Sequence, residues 1–216
     1  MHTLNPRGIP ELWTGDLPAG TFALEVIDDH GMIGKLSPGV TITAELVEPR
    51  SVGGARVVAA QVPVTRHDAD EGTALVLTWP GVALDRAGVW AVRVRLDGIR
   101  MPDASFPVQE ETGWLSLSEA RTMGWPDAPL NDATLYQLLE ASKSQCIEYA
   151  PPLKTDALIP DAWRQAQIMQ ARSTWASAQA DQSDQLGPDG LVIRIHSMST
   201  DVQKLLRPPT PRMVIR

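Results

Sequence analysis

The chain has 216 residues, 43% hydrophobic and 21% charged, with a formal net charge of -7 and a pI near 5.1. That balance excludes a disordered chain and argues against a general nucleic-acid binder, which is normally basic. The single cysteine, Cys146, excludes an internal disulfide and any multi-cysteine zinc site. No apolar run reaches the roughly 18 residues of a membrane helix. The opening MHTLNPRGIPELW lacks the charged-then-apolar layout of a signal peptide, so the chain is expected to stay in the cytoplasm where it is made.

From Thr21 to about Gln109 the sequence reads as short strands between turns. Phe22, Leu24 and Val26, then Ile42, Ala44 and Leu46, are apolar at every second position, the period of a strand with one buried face. Val57, Val58, Val62 and Val64 follow a Gly53-Gly54 turn and continue the pattern, as do Ala74 to Trp79 and Val89 to Leu96. In the last of these, Val92, Val94 and Leu96 face one way and Arg93 and Arg95 the other, the mark of a half-solvated antiparallel strand. Asp28-Asp29-His30-Gly31, Ser37-Pro38-Gly39, Asp70-Glu71-Gly72 and Pro80-Gly81 are turn chemistry. Asp97-Gly98 suits a tight hairpin, with Ile99 opening a return strand toward Phe106 and Val108. This spacing of strands and turns predicts an antiparallel β-sandwich of immunoglobulin-like type.

At Gln109-Glu110-Glu111-Thr112-Gly113 helix signals replace strand signals. Ser116 is placed to cap a short helix from Leu117 to Met123, broken by Gly124-Trp125-Pro126. Asp132 is the expected cap of the clearest helix in the chain. Leu135, Leu138, Leu139, Ser142, Cys146 and Tyr149 then form one stripe of a 3.6-residue period, with Gln137, Glu140, Lys143, Ser144 and Glu148 opposite. Pro151 and Pro152 stop it. Pro160 and Asp161 open a further helix. Its apolar residues spread over two flanks, one expected to meet its own domain and the other a neighbouring subunit. Trp163, Ile168, Arg172 and Trp175 are the candidate subunit-interface residues.

Ser177 to Asp184 is polar, Gly187-Pro188-Asp189-Gly190 is a turn and Leu191 to Ile195 reads as a strand. Thr200 with Gln203 fits a capping box for a last short helix carrying Val202, Leu205 and Leu206, ended by Pro208 and Pro209. Thr210 to Arg216 is then an extended arm. Its Met213-Val214-Ile215 run is too short to form a core, so it either docks on another subunit or partner, or returns to its own domain as an edge strand. The expectation is an α+β chain of two domains: a sandwich over residues 1–110, a small helical domain over 111–200, and a short helix with the arm over 201–216.

The search for chemistry finds little. Asp28-Asp29-His30 and His67-Asp68-Ala69-Asp70-Glu71 put carboxylates beside histidines, but both fall in expected turns, where such residues serve the backbone. His67 to Gly72 lacks the alternating ligands and distant Glu of a calcium loop. Cys146 sits on an apolar stripe, the position of a buried small hydrophobe rather than a nucleophile. His196 has no carboxylate near it in sequence, and no GxGxxG, Walker or GxSxG motif occurs. The scattered tryptophans suit core and interface anchors better than a sugar-binding face. No enzyme activity, catalytic residue, cofactor or metal is expected.

The segment LSEARTMGWPDAPLNDATLYQLLEASKSQCIEYAPPL, followed by IPDAWRQAQIMQARSTWASA and the closing LLRPPTPRMVIR, resembles the head-to-tail adaptor (connector) proteins of long-tailed bacteriophages. The matching positions are Asp132, Leu135, Leu138, Leu139, Tyr149, Ala150 and Pro151, then Pro160, Ala166 and Arg172. LEVIDDHGMIGKLSPGVTITAELVEP and LTWPGVALDRAGVWAVRVRLDG are similar to immunoglobulin-like modules of phage neck and baseplate proteins. The resemblance implies a structural virion protein of the neck, assembled in the host cytoplasm. It would be an oligomeric ring of about twelve copies between portal and stopper or tail-completion protein. DNA would pass through the centre without sequence-specific binding, and no membrane would be involved. It also implies that Leu205, Leu206, Arg207, Arg212, Val214 and Arg216 form the portal-binding arm. The alternative is a carbohydrate- or host-surface-binding accessory module of the neck or baseplate.

Overall fold

The computed structural model describes residues 3–7, 9–28, 30, 32–49, 57–70, 72–154, 157–184 and 197–208. The chain divides into two compact units, Met1–Glu111 and Thr112–Arg216, the first built of strands and the second of helices.

Among the described residues of the first unit, ten strands form two sheets: β1 (Thr3–Arg7), β2 (Leu12–Trp13), β3 (Thr21–Ile27), β4 (Ile42–Val47), β5 (Val58–Val62), β6 (Val64–Ala69), β7 (Gly72–Thr78), β8 (Gly88–Leu96), β9 (Ile99–Arg100) and β10 (Ala104–Gln109). One sheet runs β1-β3-β7-β6 and the other β2-β10-β8-β4-β5, with β9 hairpinned to β8. All pairings are antiparallel except β2 with β10. Taking β1, β3, β4, β5, β6, β7, β8 and β10 as A, B, C, C′, D, E, F and G gives an A-B-E-D sheet facing a G-F-C-C′ sheet. That is the strand order of an immunoglobulin-like sandwich.

The alternation read from sequence is the alternation that buries. Phe22, Leu24 and Val26 of β3 and Val92, Val94 and Leu96 of β8 enter one core with Leu46, Leu75, Leu77 and Trp90. Each such side chain contributes about 1.5–3 kcal/mol on burial. Trp79 lies between Phe22, at a ring distance of 4.6 Å, and Phe106, at 5.7 Å and edge-on. The Trp90 indole N–H donates to the Arg86 carbonyl at 2.9 Å, which satisfies its one polar atom. Asp97 and Gly98, at φ 50° and 79°, make the two-residue turn that needs positive φ at both positions.

Three sequence expectations are corrected here. The run Val57 to Val64 is two strands, because Pro63 has no N–H for a ladder and turns the chain from β5 in one sheet to β6 in the other. His67 and Asp68 are not in a turn, since β6 continues to Ala69 and pairs them with Ala74 and Thr73. Two short N-terminal strands, β1 and β2, precede the expected start at Thr21.

Among the described residues, the second unit has four helices: α1 (Leu117–Thr122), α2 (Asp132–Tyr149), α3 (Asp161–Asp184) and α4 (Thr200–Leu206). Ser116 caps α1 in a full capping box with Glu119. Gly124, at φ 114°, carries the chain away from that helix. α2 packs on α3, and α4 packs on both. One cluster joins Leu117, Ala120, Trp125, Leu135, Leu138 and Leu139 with Ile168 and Ala171. A second joins Trp114, Cys146, Trp163, Ala166, Val202 and Leu206.

The caps of α2 and α4 sit one residue earlier than the sequence suggests. Asn131 caps α2, its side-chain oxygen accepting from the Thr134 N–H at 3.0 Å, and Asp132 is already in the first turn. Ser199, not Thr200, caps α4 by accepting from the Val202 N–H at 3.3 Å. α3 also continues through the polar Ser177 to Asp184, which sequence polarity alone leaves unassigned. The expected turn at residues 187–190 and strand at 191–195 lie outside the described residues.

Candidate interaction surface

The residues singled out for chemistry stay apart. Among the described residues, no three His, Cys, Asp or Glu side chains are grouped as a metal site would need. The Asp28 carboxylate accepts from the backbone N–H groups of His30 and Met32, both at 2.9 Å, so it holds a turn. The Asp68 carboxyl is held below the usual carboxylate range, first by the Arg66 guanidinium and then by the Thr73 hydroxyl. Arg66 also donates to the Ser37 and Leu36 carbonyls, at 2.7 and 2.6 Å, so this network ties the segment before β4 to the β6-β7 pair. Cys146 is fully buried, and burial pushes its thiol up to about 12. His196 lies outside the described residues. No tryptophan is exposed: Trp13 and Trp175 are half-buried and the other five are buried.

The candidate interface residues divide. Trp163 and Ile168 are buried in the unit's own cores, Trp163 beside Trp114 at a ring distance of 6.3 Å. Those two are therefore occupied within the unit, and a partner would meet Arg172, which is exposed, and half-buried Trp175. Arg172 donates to the Gly124 carbonyl at 3.1 Å.

The arm residues divide in the same way. Leu206 is buried between the helices and Leu205 is half-buried, so neither is free to leave with the arm. Arg207 ends α4 with its guanidinium 4.8 Å above the Tyr149 ring, a cation–π contact that joins the last residue of α2 to the root of the arm. Arg212, Val214 and Arg216 lie outside the described residues.

Sequence reading missed a second surface feature, the connection between α1 and α2. Trp125, Ala128 and Pro129 are buried in it. The Ala128 N–H closes a turn on the Trp125 carbonyl at 3.1 Å. Arg121 reaches across to the Pro129 carbonyl at 3.1 Å and to the Asp132 carboxylate at 2.6 Å, and Arg172 holds Gly124. At the end of this loop, next to the Asn131 cap, Leu130 is 96% exposed. The Pro and Asn flanking Leu130 read as turn chemistry, which gives no sign that the leucine points outward.

No family model matches the chain, and no curated protein does. Solved structures similar to it include a Lin-41 filamin domain, at 14% identity and TM-score 0.28 over 48% of this chain and 89% of that one. The Yersinia pseudotuberculosis adhesin InvE is 15% identical, with TM-score 0.31 over 50% of this chain and 26% of that one. Domains 6-7 of the surface layer protein SbsC are 20% identical, with TM-score 0.30 over 51% of this chain and 46% of that one. The chain thus spans under half the length of the last two. At these scores none of the three bears on function, and the sandwich rests on its own strand order.

Proposed function

We propose that the chain is a structural, non-enzymatic virion protein, a head-to-tail adaptor whose helical unit assembles into a ring between portal and stopper or tail-completion protein. What supports the reading, beyond the resemblance of the helical segments to such adaptors, is the root of the arm. Val202 and Leu206 seat α4 on the other helices, and Arg207 is stacked on Tyr149. The chain is thus anchored on the helices up to Arg207, and an anchored base lowers the ordering cost of docking for Arg212, Val214 and Arg216 beyond it. A ring of about twelve copies needs heterologous contacts that close. The acidic balance suits a channel in which DNA slides, because Lys and Arg contacts to phosphate are what hold it.

Deleting residues 209–216 tests this while leaving α4 whole. Co-sedimentation with the portal protein encoded beside it should be lost, with the circular dichroism spectrum unchanged. Attachment to portal at full strength refutes the arm's role.

The alternative keeps the sandwich as the working part, a binder of carbohydrate or host surface. The exposed apolar residues Met32, in a bend, and Ile99, in β9, favour it, whereas the tryptophans do not serve it. Glycan-array binding by the full chain, lost on Met32→Ser or Ile99→Ser, would select that reading.

A further inference from the structure

The last helix is held differently from the rest of its unit. Of the described residues 197–208, only Val202 and Leu206, one turn apart on α4, are buried. They complete the cluster of Trp114, Cys146, Trp163 and Ala166. Among the described residues, two polar ties join α4 to the other helices. One is long, the Tyr149 hydroxyl on the Gln203 side chain at 3.5 Å, and the other is the exposed Arg207 stacked on the Tyr149 ring. The Lys204 ion pair with Asp201 is internal to the helix. The shorter α1 differs, since Glu119 is paired with Arg164 of α3 and Arg121 with Asp132 of α2. Seven residues are too few for a helix to persist on its own propensity, so α4 exists by docking.

What α4 docks on is complete without it. The cluster around Leu135, Leu138, Ile168 and Ala171 joins α1, α2 and α3 and contains no residue of α4. Gln167 on the Leu139 carbonyl and Gln170 on Gln145 tie α3 to α2 independently of it. Residues 185–199 connect α3 to α4, enough chain to reach about 50 Å when extended, so covalent continuity does not pin α4 to its seat. An element with few buried contacts and no part in the main core opens at a lower free energy than that core.

We infer that α4 is a latch, releasing as a unit while α1, α2 and α3 stay folded. Release uncovers the Trp114–Trp163 pair, whose rings are 6.3 Å apart, and adds the length of α4 to the arm beyond it. Closed, the latch anchors the arm through Arg207 and hides an aromatic seat. Open, it offers that seat to whatever apolar segment comes near. The inference rests on the packing of the helical unit alone, so it stands or falls separately from attachment to portal.

Thiol labelling of full-length chains tests it. In a Cys146→Ala background, Val202→Cys reports on α4, and Leu138→Cys in a separate chain reports on the core. With Ellman's reagent, the thiol at 202 should react roughly a hundredfold faster than the thiol at 138. Low urea and Leu135→Ala should leave the rate at 202 unchanged, because they act on the closed and open forms nearly alike. Leu206→Ala destabilises the closed form alone and should raise that rate roughly tenfold or more. Equal rates at 202 and 138 overturn the proposal, as does no response to Leu206→Ala. A rate at 202 that climbs with urea and Leu135→Ala in step with the rate at 138 also overturns it, since α4 then leaves only when the whole unit unfolds. Hydrogen exchange of the unsubstituted chain needs no variant. Amides of 200–207 should exchange ahead of those in the buried turns of α2 and α3, and exchange in step with them overturns the latch.

Discussion

At the scale of single residues, Glu119 joins two elements. Its carboxylate accepts from the Ser116 backbone N–H at 2.9 Å and is paired with Arg164 of α3. The first contact, then the Arg164 guanidinium, hold its pKa below the ordinary 4.5, against the opposing effect of partial burial. A carboxyl with a lowered folded pKa stabilises above its unfolded pKa, and that contribution is lost as pH falls through the folded value. Urea denaturation of the helical unit should therefore show a loss below about pH 4.5 that Glu119→Gln makes shallower. At pH 7 the same change should cost about 0.5–1 kcal/mol, the scale of a capping contact, because the side chain is partly solvated. Cys146 was legible from spacing alone as a buried position. The burial of Gln167 was not. Its side chain donates to the Leu139 carbonyl and accepts from the Leu115 N–H, both at 3.1 Å, and a polar letter on a helix gives no sign that such partners await it inside.

Among elements, the hydrophobic period identified strands and helices where one face is buried, and it failed where another force set the boundary. β1 carries Pro6 and has no clean alternation, so its strand exists through pairing with β3 at the edge of a sheet. The polar end of α3 has no stripe to announce it. The α2 boundary is the instructive case, because Asn131 and Asp132 are both good caps and sequence does not choose between them. Geometry does: Asn131 is extended, at φ -75° and ψ 115°, and its oxygen takes the Thr134 N–H, while Asp132 turns to Arg121. Asn131→Ala should cost about 1 kcal/mol. Asp132→Ala should cost less, about 0.5 kcal/mol, as an exposed pair beside a helix N-terminus. Thermal unfolding of both variants checks the order, and a larger loss at Asp132 would return the cap to it. The exposed Leu130 next to them was beyond sequence for the same reason: turn letters describe the backbone and not the direction of the side chain.

For the whole molecule, the change of pattern near Gln109 to Gly113 marks where one kind of core stops. Every residue of the sandwich cluster lies within 4–108, and every residue of the two helical clusters within 114–206. Hydrophobic stabilisation is proportional to apolar area removed from water, and each cluster removes its own. Each unit therefore has the means to fold alone, and the chain should unfold in two separable transitions. A Leu77→Ala substitution in the sandwich and a Leu138→Ala substitution in α2 each remove a fully buried side chain, at a cost of about 2–5 kcal/mol to the unit concerned. In calorimetry, Leu77→Ala should lower one transition and leave the other in place, and Leu138→Ala should do the converse. Two transitions that fall together in both variants would mean that the units fold as one. The same pair bears on assembly, because a self-association carried by the helical unit should survive heating past the sandwich transition in Leu77→Ala and vanish with the helical transition in Leu138→Ala.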